Sequence, residues 1–580
     1  MSPAPSVRLG VSLLSLSAAL AFNAPAQDCE VRTILSPTNV VDKGKFGSAV
    51  AYGDFDQNGM QELLVGMPGY KGSGTDKVGC IYLFDAPAFA LHGEYANPIP
   101  VLDDEFGFAV ATGDFDRDTY LDFAVGAPGR DNAAMSYTDS GAVFVYYGPD
   151  FGTWIQIDGL SNGGRFGSAL AAGVISDKVP GAALVIGAPK VTVSALASVG
   201  ETYVFVDASR TWSMVAALGV TAPAGNEQFG TALAISDNDG DGKNDLAVGA
   251  PFSTVNAITN AGFVWWFKGH VTDLQAGQRI DPPTAEAKGR FGYSFAYGNL
   301  VNNDSKQDLV IGAPGITDSG LKNSGVIYIC DGADVSVAIR KASYSPEGGG
   351  FYGTGVLAGD IDGDGVWDVA ASEPEAAENG KNRTGSITAW LGPSFMTSLA
   401  VLPEGEAEDI GNFGAALAAI DSNDDGIAEF AVGMPGRDIS GLDKVGKAIV
   451  VDLSVDLPFV EYSNGMSGSG VSPPTLSGSG SGIGGAIDAL SVAGALPGTL
   501  GLLLVGVDRV FLDLPGDGIL LTYYQSVFPF SADGAGNFSL QYMVPTFPVC
   551  VPFFLQVFLE DPAYLYGYRH TAGLQLTIQQ

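Results

Sequence analysis

Seven times along this chain a Phe-Gly marker, spelled Phe-Tyr-Gly in the sixth copy, opens a short apolar strand, an acidic loop follows in most copies, and a Gly-Ala-Pro-like tripeptide closes the segment about twenty residues later. The leading phenylalanines are Phe46, Phe106, Phe166, Phe229, Phe291, Phe351 and Phe413, spaced 60, 60, 63, 62, 60 and 62 residues apart. The closing tripeptides begin at Gly66, Gly126, Gly187, Gly249, Gly312, Ser372 and Gly433. A repeat of this length built from strands is one supersecondary unit, too small to bury its own face, so it must stack on its neighbours.

Each repeat reads as four strands. In the first copy these are Phe46 to Tyr52, Glu62 to Gly66, Gly79 to Phe84 and Pro98 to Leu102. The third strand recurs as GAVFVYYG, GETYVFV, GFVWWF, GVIYIC, GSITAWLG and GKAIVVDL, the β-branched and aromatic composition that a pleated, half-buried surface favours. Trp265 and Trp266 should point to opposite sheet faces. The seventh copy has only three strands, while Val31 to Leu35 precedes the first marker by the distance expected of a fourth. The N-terminal segment is therefore expected to complete the last unit, which removes an open sheet edge.

The markers and the loops between them resemble the FG-GAP repeats of the integrin alpha-chain β-propeller, across roughly residues 28 to 455. The resemblance implies a seven-bladed β-propeller, metal-binding hairpins in the loops, and ligand recognition on the face opposite them.

Composition agrees with an all-β, turn-rich chain: 80 of 580 residues are Gly and 46% are hydrophobic. The formal net charge of −36 argues against nucleic acid and anionic membrane as partners, since both require clusters of Lys and Arg.

Much of that acidity has an address. Five repeats place oxygen-bearing side chains at positions 1, 3, 5 and 9 of the loop between the first two strands. These are Asp54, Asp56, Asn58 and Glu62; Asp114, Asp116, Asp118 and Asp122; Asp237, Asp239, Asp241 and Asp245; Asp360, Asp362, Asp364 and Asp368; and Asp421, Asn423, Asp425 and Glu429. Several hard oxygen ligands converging on one point suit Ca2+ rather than zinc or copper. Gly59, Gly242, Gly365 and Gly426 at position 6 permit the sharp turn, whereas the second repeat has Thr119 there. An EF-hand would need Glu at position 12, where Val65, Val248 and Ala371 stand instead. One Asp-Gly loop is an ordinary turn. Five in register would gather like charges within a few ångströms, which is unfavourable without a cation. The third repeat offers only Asp177, and the fifth carries an extra residue between Asn299 and Asp308, so neither is expected to hold metal firmly.

Residues 1–26 read as a secretory signal peptide, with Arg8, an apolar core from Val11 to Phe22 and an Ala-Pro-Ala cleavage site. No other run is long and apolar enough for a transmembrane span. Residues 456–485 read as a Ser/Gly-rich linker and 486–580 as a small β-sandwich, which looks like the C-terminal tails of some exported bacterial proteins. The fold class is thus all-β, a seven-bladed β-propeller followed by a small β-sandwich. Four cysteines, Cys29, Cys80, Cys330 and Cys550, are too scattered for a disulfide framework or a zinc site.

His92, His270 and His570 form no catalytic order with Ser and Asp. The expectation is a secreted or cell-surface, non-catalytic binding or adhesion module for an extracellular protein or glycan. The alternative is a polysaccharide-active enzyme or its carbohydrate-binding subunit. In an up-and-down blade the loop from strand two to strand three lies opposite the acidic loop. Its variation in length singles it out for recognition, with Tyr70, Arg130, Tyr137 and Arg437 as contact residues.

Overall fold

The computed structural model describes residues 31–452 apart from 72–76, 176–180, 221, 270–273, 275–276, 303, 305, 333–335, 362–364, 378–382, 396, 402–410 and 425, together with the backbone of strands between 460 and 578. All regular structure among these residues is β, and no helix is long and apolar enough to cross a membrane.

Seven four-stranded antiparallel sheets form the repeats. The first blade consists of Ala49–Gly53, Glu62–Met67, Cys80–Asp85 and Ala90–Ala96, hydrogen-bonded in that order. Its first strand begins three residues after Phe46, whose backbone instead bridges to Gly446 of the last blade. Its fourth strand precedes the segment Pro98 to Leu102 read from sequence. The reason is that the outermost strand is largely solvent-facing, so it carries no apolar alternation, and the apolar residues after it belong to the connection into the next blade. The last blade is closed as expected: Val31–Leu35 pairs antiparallel with Lys447–Asp452, from Val31 opposite Asp452 to Leu35 opposite Ala448.

The first strands of successive blades pack beside one another around the axis, and the cores lie between blades. One cluster joins Phe46, Val65 and Tyr82 of the first blade to Ala431, Ala448 and Val450 of the last. Trp265 packs toward the third blade and Trp266 toward the fifth, on opposite sheet faces. Six of the seven marker phenylalanines are fully buried, an interaction that stabilises by about 2–3 kcal/mol per ring. In the sixth repeat the ring in this place belongs to Tyr352, not Phe351. Tyr352 bridges to Gly325, is 0% exposed, and satisfies its hydroxyl with Trp390 Nε1 at 3.1 Å and the Thr388 carbonyl at 3.3 Å.

The glycine of the closing tripeptide and the glycine before the third strand are contact residues. A Cβ at Gly66 would lie 2.1 Å from the Gly107 carbonyl oxygen of the next blade. One at Gly79, where φ is +85°, would lie 1.9 Å from the Phe106 carbonyl oxygen. The closing tripeptide recurs because its glycine lets one blade touch the backbone of the next Phe-Gly pair.

After Asp452, strands pair into one sheet of six, one of three and one of two. Val460–Tyr462 and Thr475–Ser479 fall within the stretch read as a linker. The sandwich reading of 486–580 depends on side chains that lie outside the described residues, as do the leader 1–26, Cys29 and Cys550. Cys80 and Cys330 are buried in the third strands of the first and fifth blades.

Candidate metal centres

Because the strands of a blade are antiparallel, the loops joining first to second strand emerge at one end of the ring, here called lower, and those joining second to third at the upper end. The lower loops are hairpins whose register places position 9 opposite the last residue of the first strand: Gly53 faces Glu62, Gly113 faces Asp122 and Ser236 faces Asp245.

Two positions of these loops have left-handed backbone conformation among the described residues. Position 6 does so in all five acidic repeats, with φ of +95° at Gly59, +78° at Thr119, +82° at Gly242, +81° at Gly365 and +83° at Gly426. Position 4 does so at Gln57, Arg117, Gly240 and Asp424, a requirement that the varied residue types there conceal in the sequence. This backbone turns the N–H of position 6 onto the carboxylate of position 1. Gly59 donates to Asp54 at 3.1 Å, Thr119 to Asp114 at 3.2 Å, Gly242 to Asp237 at 2.9 Å, Gly365 to Asp360 at 2.9 Å and Gly426 to Asp421 at 3.1 Å.

The consequence is convergence of acids. In three loops the carboxylates of positions 1, 3 and 9 bring oxygens within 4.8 Å of one another: Asp54, Asp56 and Glu62; Asp114, Asp116 and Asp122; Asp237, Asp239 and Asp245. Position 5 uses one oxygen on the loop itself, accepting the N–H of position 7 at 2.7 Å for Asn58, 2.9 Å for Asp118 and 3.0 Å for Asp241. In the sixth loop Asp360 and Asp368 are described, while Asp362 and Asp364 lie outside the described residues. In the seventh Asp421, Asn423 and Glu429 are described and Asp425 is not.

Position 9 has a second job. Its carboxylate accepts the backbone N–H of position 2: Phe55 to Glu62, Phe115 to Asp122 and Ile361 to Asp368, each at 2.8 Å. Where it is Asp, the other oxygen accepts the N–H of the glycine ending the third strand, at 2.9 Å from Gly148 to Asp122 and 2.7 Å from Gly269 to Asp245. The fifth repeat keeps this pin without the metal loop. Asp308 accepts from Leu300, from Val301 (the extra residue) and from Gly332. In the third repeat Asp177 lies outside the described residues.

Burial, with a smaller contribution from neighbouring acids, pushes Asp122 up to about 7 and Asp245 up to about 6. Glu62 is raised for the same reasons. Two buried oxygens, Glu62 Oε1 and Asp114 Oδ1, accept no hydrogen bond. Anionic oxygens gathered out of water with unused lone pairs fit a hard divalent cation held by positions 1, 3 and 9. Two basic side chains also reach these loops, a pairing that sequence gave no means of seeing. Arg210 from the third blade donates to Asp116 at 2.9 Å, and Lys268 pairs with Asp239 and lies 3.3 Å from Asp241.

The upper loops vary less than their sequences suggest. Those of the third, fourth, fifth and seventh blades share one tight turn, bridged from Val193 to Leu196, Val255 to Ile258, Asp318 to Leu321 and Ile439 to Leu442. The two central residues have positive φ in each, as at Ser194 and Ala195 or Ser440 and Gly441, the geometry of a type I′ hairpin. The second blade departs with a longer loop bridged from Asn132 to Tyr137. Two of the contact residues read from sequence are structural. Arg130, 7% exposed, donates to Asp104 at 2.7 Å and to the Ile99 carbonyl at 2.6 Å, and Tyr70 is 9% exposed within the inter-blade core. Both fall where the chain turns back over the ring, so long side chains there fill space under the loop instead of facing solvent. Tyr137 and Arg437 are half-buried.

The profile of the FG-GAP repeat matches residues 106–146 and 229–265. The chain is similar to integrin alpha-5 of Xenopus laevis, 30% identical over 260 residues, which cover 42% of this chain and 23% of the relative. It is similar to phosphatidylinositol-glycan-specific phospholipase D of Rattus norvegicus, 27% identical over 296 residues, 48% of this chain and 27% of the relative. Integrin alpha-3 of Mus musculus is 30% identical over 150 residues, 24% of this chain and 13% of the relative. The chain thus spans about a quarter or less of the length of these curated relatives. With seven four-stranded blades closed by the N-terminal strand, the matched repeats and the integrin alpha relatives identify this chain as an integrin-like FG-GAP β-propeller.

Proposed function

We propose that the chain is an exported, non-catalytic binding or adhesion module whose lower face holds Ca2+ and whose upper face meets an extracellular protein or glycan. The observation that carries the metal half is the threefold recurrence of carboxylates from positions 1, 3 and 9 within 4.8 Å of one another. Calcium supplies positive charge at the centre of each cluster, where Arg210 and Lys268 reach, of the clustered acids, only Asp116 and Asp239 at position 3, and ties the lower end of each hairpin. The tie reaches neighbouring blades, because the carbonyl of position 1 accepts a backbone N–H from the next blade, as Asp114 does from Ala182 and Asp237 from Gln307. Recognition then falls to the upper face, where the second blade departs from the tight turn shared by four others. The enzymatic reading finds support only in the phospholipase relatives, of which the matched segment is 27% or less.

Metal analysis of the purified chain should find at least three Ca2+ per molecule, from the three convergent loops. Sites of extracellular modules bind at about 10⁻⁴ to 10⁻³ M. Excess chelator should therefore lower the melting temperature, and millimolar Ca2+ should restore it by mass action. A melt that is the same in EDTA and in Ca2+ would sink the calcium assignment.

A further inference from the structure

We propose that a pocket on the upper face, between the seventh, first and second blades, binds an acidic sugar unit, a ring bearing a carboxylate or sulfate. This rests on the binding-module reading above and names the ligand class for it.

The pocket has a volume of about 230 Å³ and is lined by Lys43, Lys45, Ser48, Lys77, Glu105 and Phe108, with Pro68, Gly69 and Pro435 at its edges. That is below the range of about 300–1,000 Å³ that accommodates drug-sized ligands, and suits one ring. Three lysines around one cavity stand out in a chain with 28 basic residues against 64 acidic ones. All three are exposed, and among the described residues neither Lys45 nor Lys77 pairs with an acid. Lys43 Nζ is 4.0 Å from Asp42, too far for a strong hydrogen bond. The one acid on the wall, Glu105, is already paired with Arg165. The cavity is therefore a local positive site on a negative molecule.

The backbone holds these cations in place. Lys43 and Lys45 have φ of +60° and +58°, and their N–H groups donate to Asp443 at 2.7 Å and Lys444 at 2.9 Å in the last blade. Gly69 packs under this crossing, where a Cβ would lie 1.9 Å from the Lys43 carbonyl oxygen. With the backbone already fixed, an arriving anion has only the lysine side chains to order.

The apolar wall is Phe108, 40% exposed. The residue after each Phe-Gly pair is Ser48, Ser168, Thr231, Thr354 or Ala415 in five blades, and the hydroxyl of the first four bonds back to the carbonyl three residues earlier. Phe108 and the half-buried Tyr293 of the fifth blade break that pattern, and Phe108 does so with an exposed ring beside the lysines, the Arg165 guanidinium 5.9 Å from its centroid. An aromatic face covers the C–H face of a sugar while ammonium groups meet its anion. A peptide carboxylate would use the lysines but leave the ring bare. The neighbouring upper loop of the second blade departs from the tight turn shared by four others, so the pocket lies beside a non-repetitive part of the face.

The test is a titration of the full chain, in Ca2+ and at low salt, with polygalacturonate and chondroitin sulfate as anionic probes and dextran as the neutral one. Binding of one or both anionic polymers and not of dextran is expected, weakening as salt rises. Lys45→Ala with Lys77→Ala should weaken it about tenfold or more, and Phe108→Ser, which restores the residue type of other blades, should weaken it comparably. Lys322→Ala, on the upper loop of the fifth blade, should leave it unchanged, and all variants should melt as the parent does. Absence of anionic binding overturns the proposal. So does anionic binding that Phe108→Ser leaves intact, since that reduces the site to charge alone. Capture of a different ligand by the upper face, indifferent to these variants, would overturn the pocket while leaving the binding-module reading standing.

Discussion

The lower loops of the second and fourth repeats and that of the fifth share one device and differ in another. All three bury an aspartate at the base of the hairpin, Asp122, Asp245 and Asp308, and all three aspartates accept N–H groups from both the loop and the glycine after the third strand. Only the second and fourth repeats surround that aspartate with two more carboxylates within 4.8 Å. The pin therefore belongs to the blade, and the metal centre is an addition to it. One residue type at one position serves two purposes, which can be separated because the fifth repeat keeps only the first.

The separation predicts two distinct losses. Asp308→Ala leaves the N–H groups of Leu300, Val301 and Gly332 buried without an acceptor. With about 1–3 kcal/mol per unsatisfied group, partly offset by relief of burying a charge, the net cost should be about 3 kcal/mol or more. That cost should be the same in Ca2+ and in EDTA. Asp237→Ala removes a position-1 carboxylate, so its cost should be large in Ca2+ and small in EDTA. Thermal melts of both variants under both conditions decide the matter. If Asp308→Ala were rescued by Ca2+, the pin and the metal site could not be separate devices.

A third kind of buried acid sharpens the contrast. Glu373, in the closing tripeptide of the sixth repeat, stands where other repeats have Ala or Met, and is 2% exposed on the upper side of its blade. Ser343 and Ser386 donate to its Oε1 at 2.5 and 2.9 Å, but its Oε2 accepts nothing. Burial pushes its carboxyl up to about 7. Its folded-state value lies above the unfolded one, so the stability it contributes is complete below about pH 4.5 and is lost as pH rises through about 7. Measured in chelator, Glu373→Gln should flatten the decline in stability between pH 5 and pH 8, by about 3 kcal/mol at most. A difference between parent and variant that does not change with pH would show that Glu373 is charged throughout.

What could be read from sequence follows from what repeats. The blade number, the acidic loops and the closure by Val31–Leu35 were legible because seven copies impose a register. The fourth strand of the first repeat was misplaced because its outer edge, Ala90–Ala96, carries no burial pattern to read. Tyr352 was missed because Phe351 beside it offers the expected ring, and only the neighbour's Gly325 decides which one enters the core. The pin function of position 9 was hidden because one carboxylate satisfies both the metal pattern and the backbone. Arg210 on Asp116 joins residues 94 apart on different blades, which no local spacing can announce.

The smallest effect tests the backbone of the second loop against the others. Thr119 has φ of +78° where the other four acidic repeats place glycine, and a β-branched residue in that region is strained by about 1–2 kcal/mol. Glycine would remove the strain, yet its greater freedom in the unfolded chain costs about 0.5–1 kcal/mol. Thr119→Gly should therefore stabilise by only about 0.5 kcal/mol. The N–H that Thr119 gives to Asp114 at 3.2 Å and the carbonyl that accepts from Gln57 at 2.9 Å both survive the change, so calcium affinity should hold or improve slightly. Thr119→Ala, which keeps a Cβ in the same conformation, should give no gain. If alanine stabilised as much as glycine, the strain would reside in the branched side chain alone, and the second loop would not differ in backbone from the loops of the first and fourth repeats.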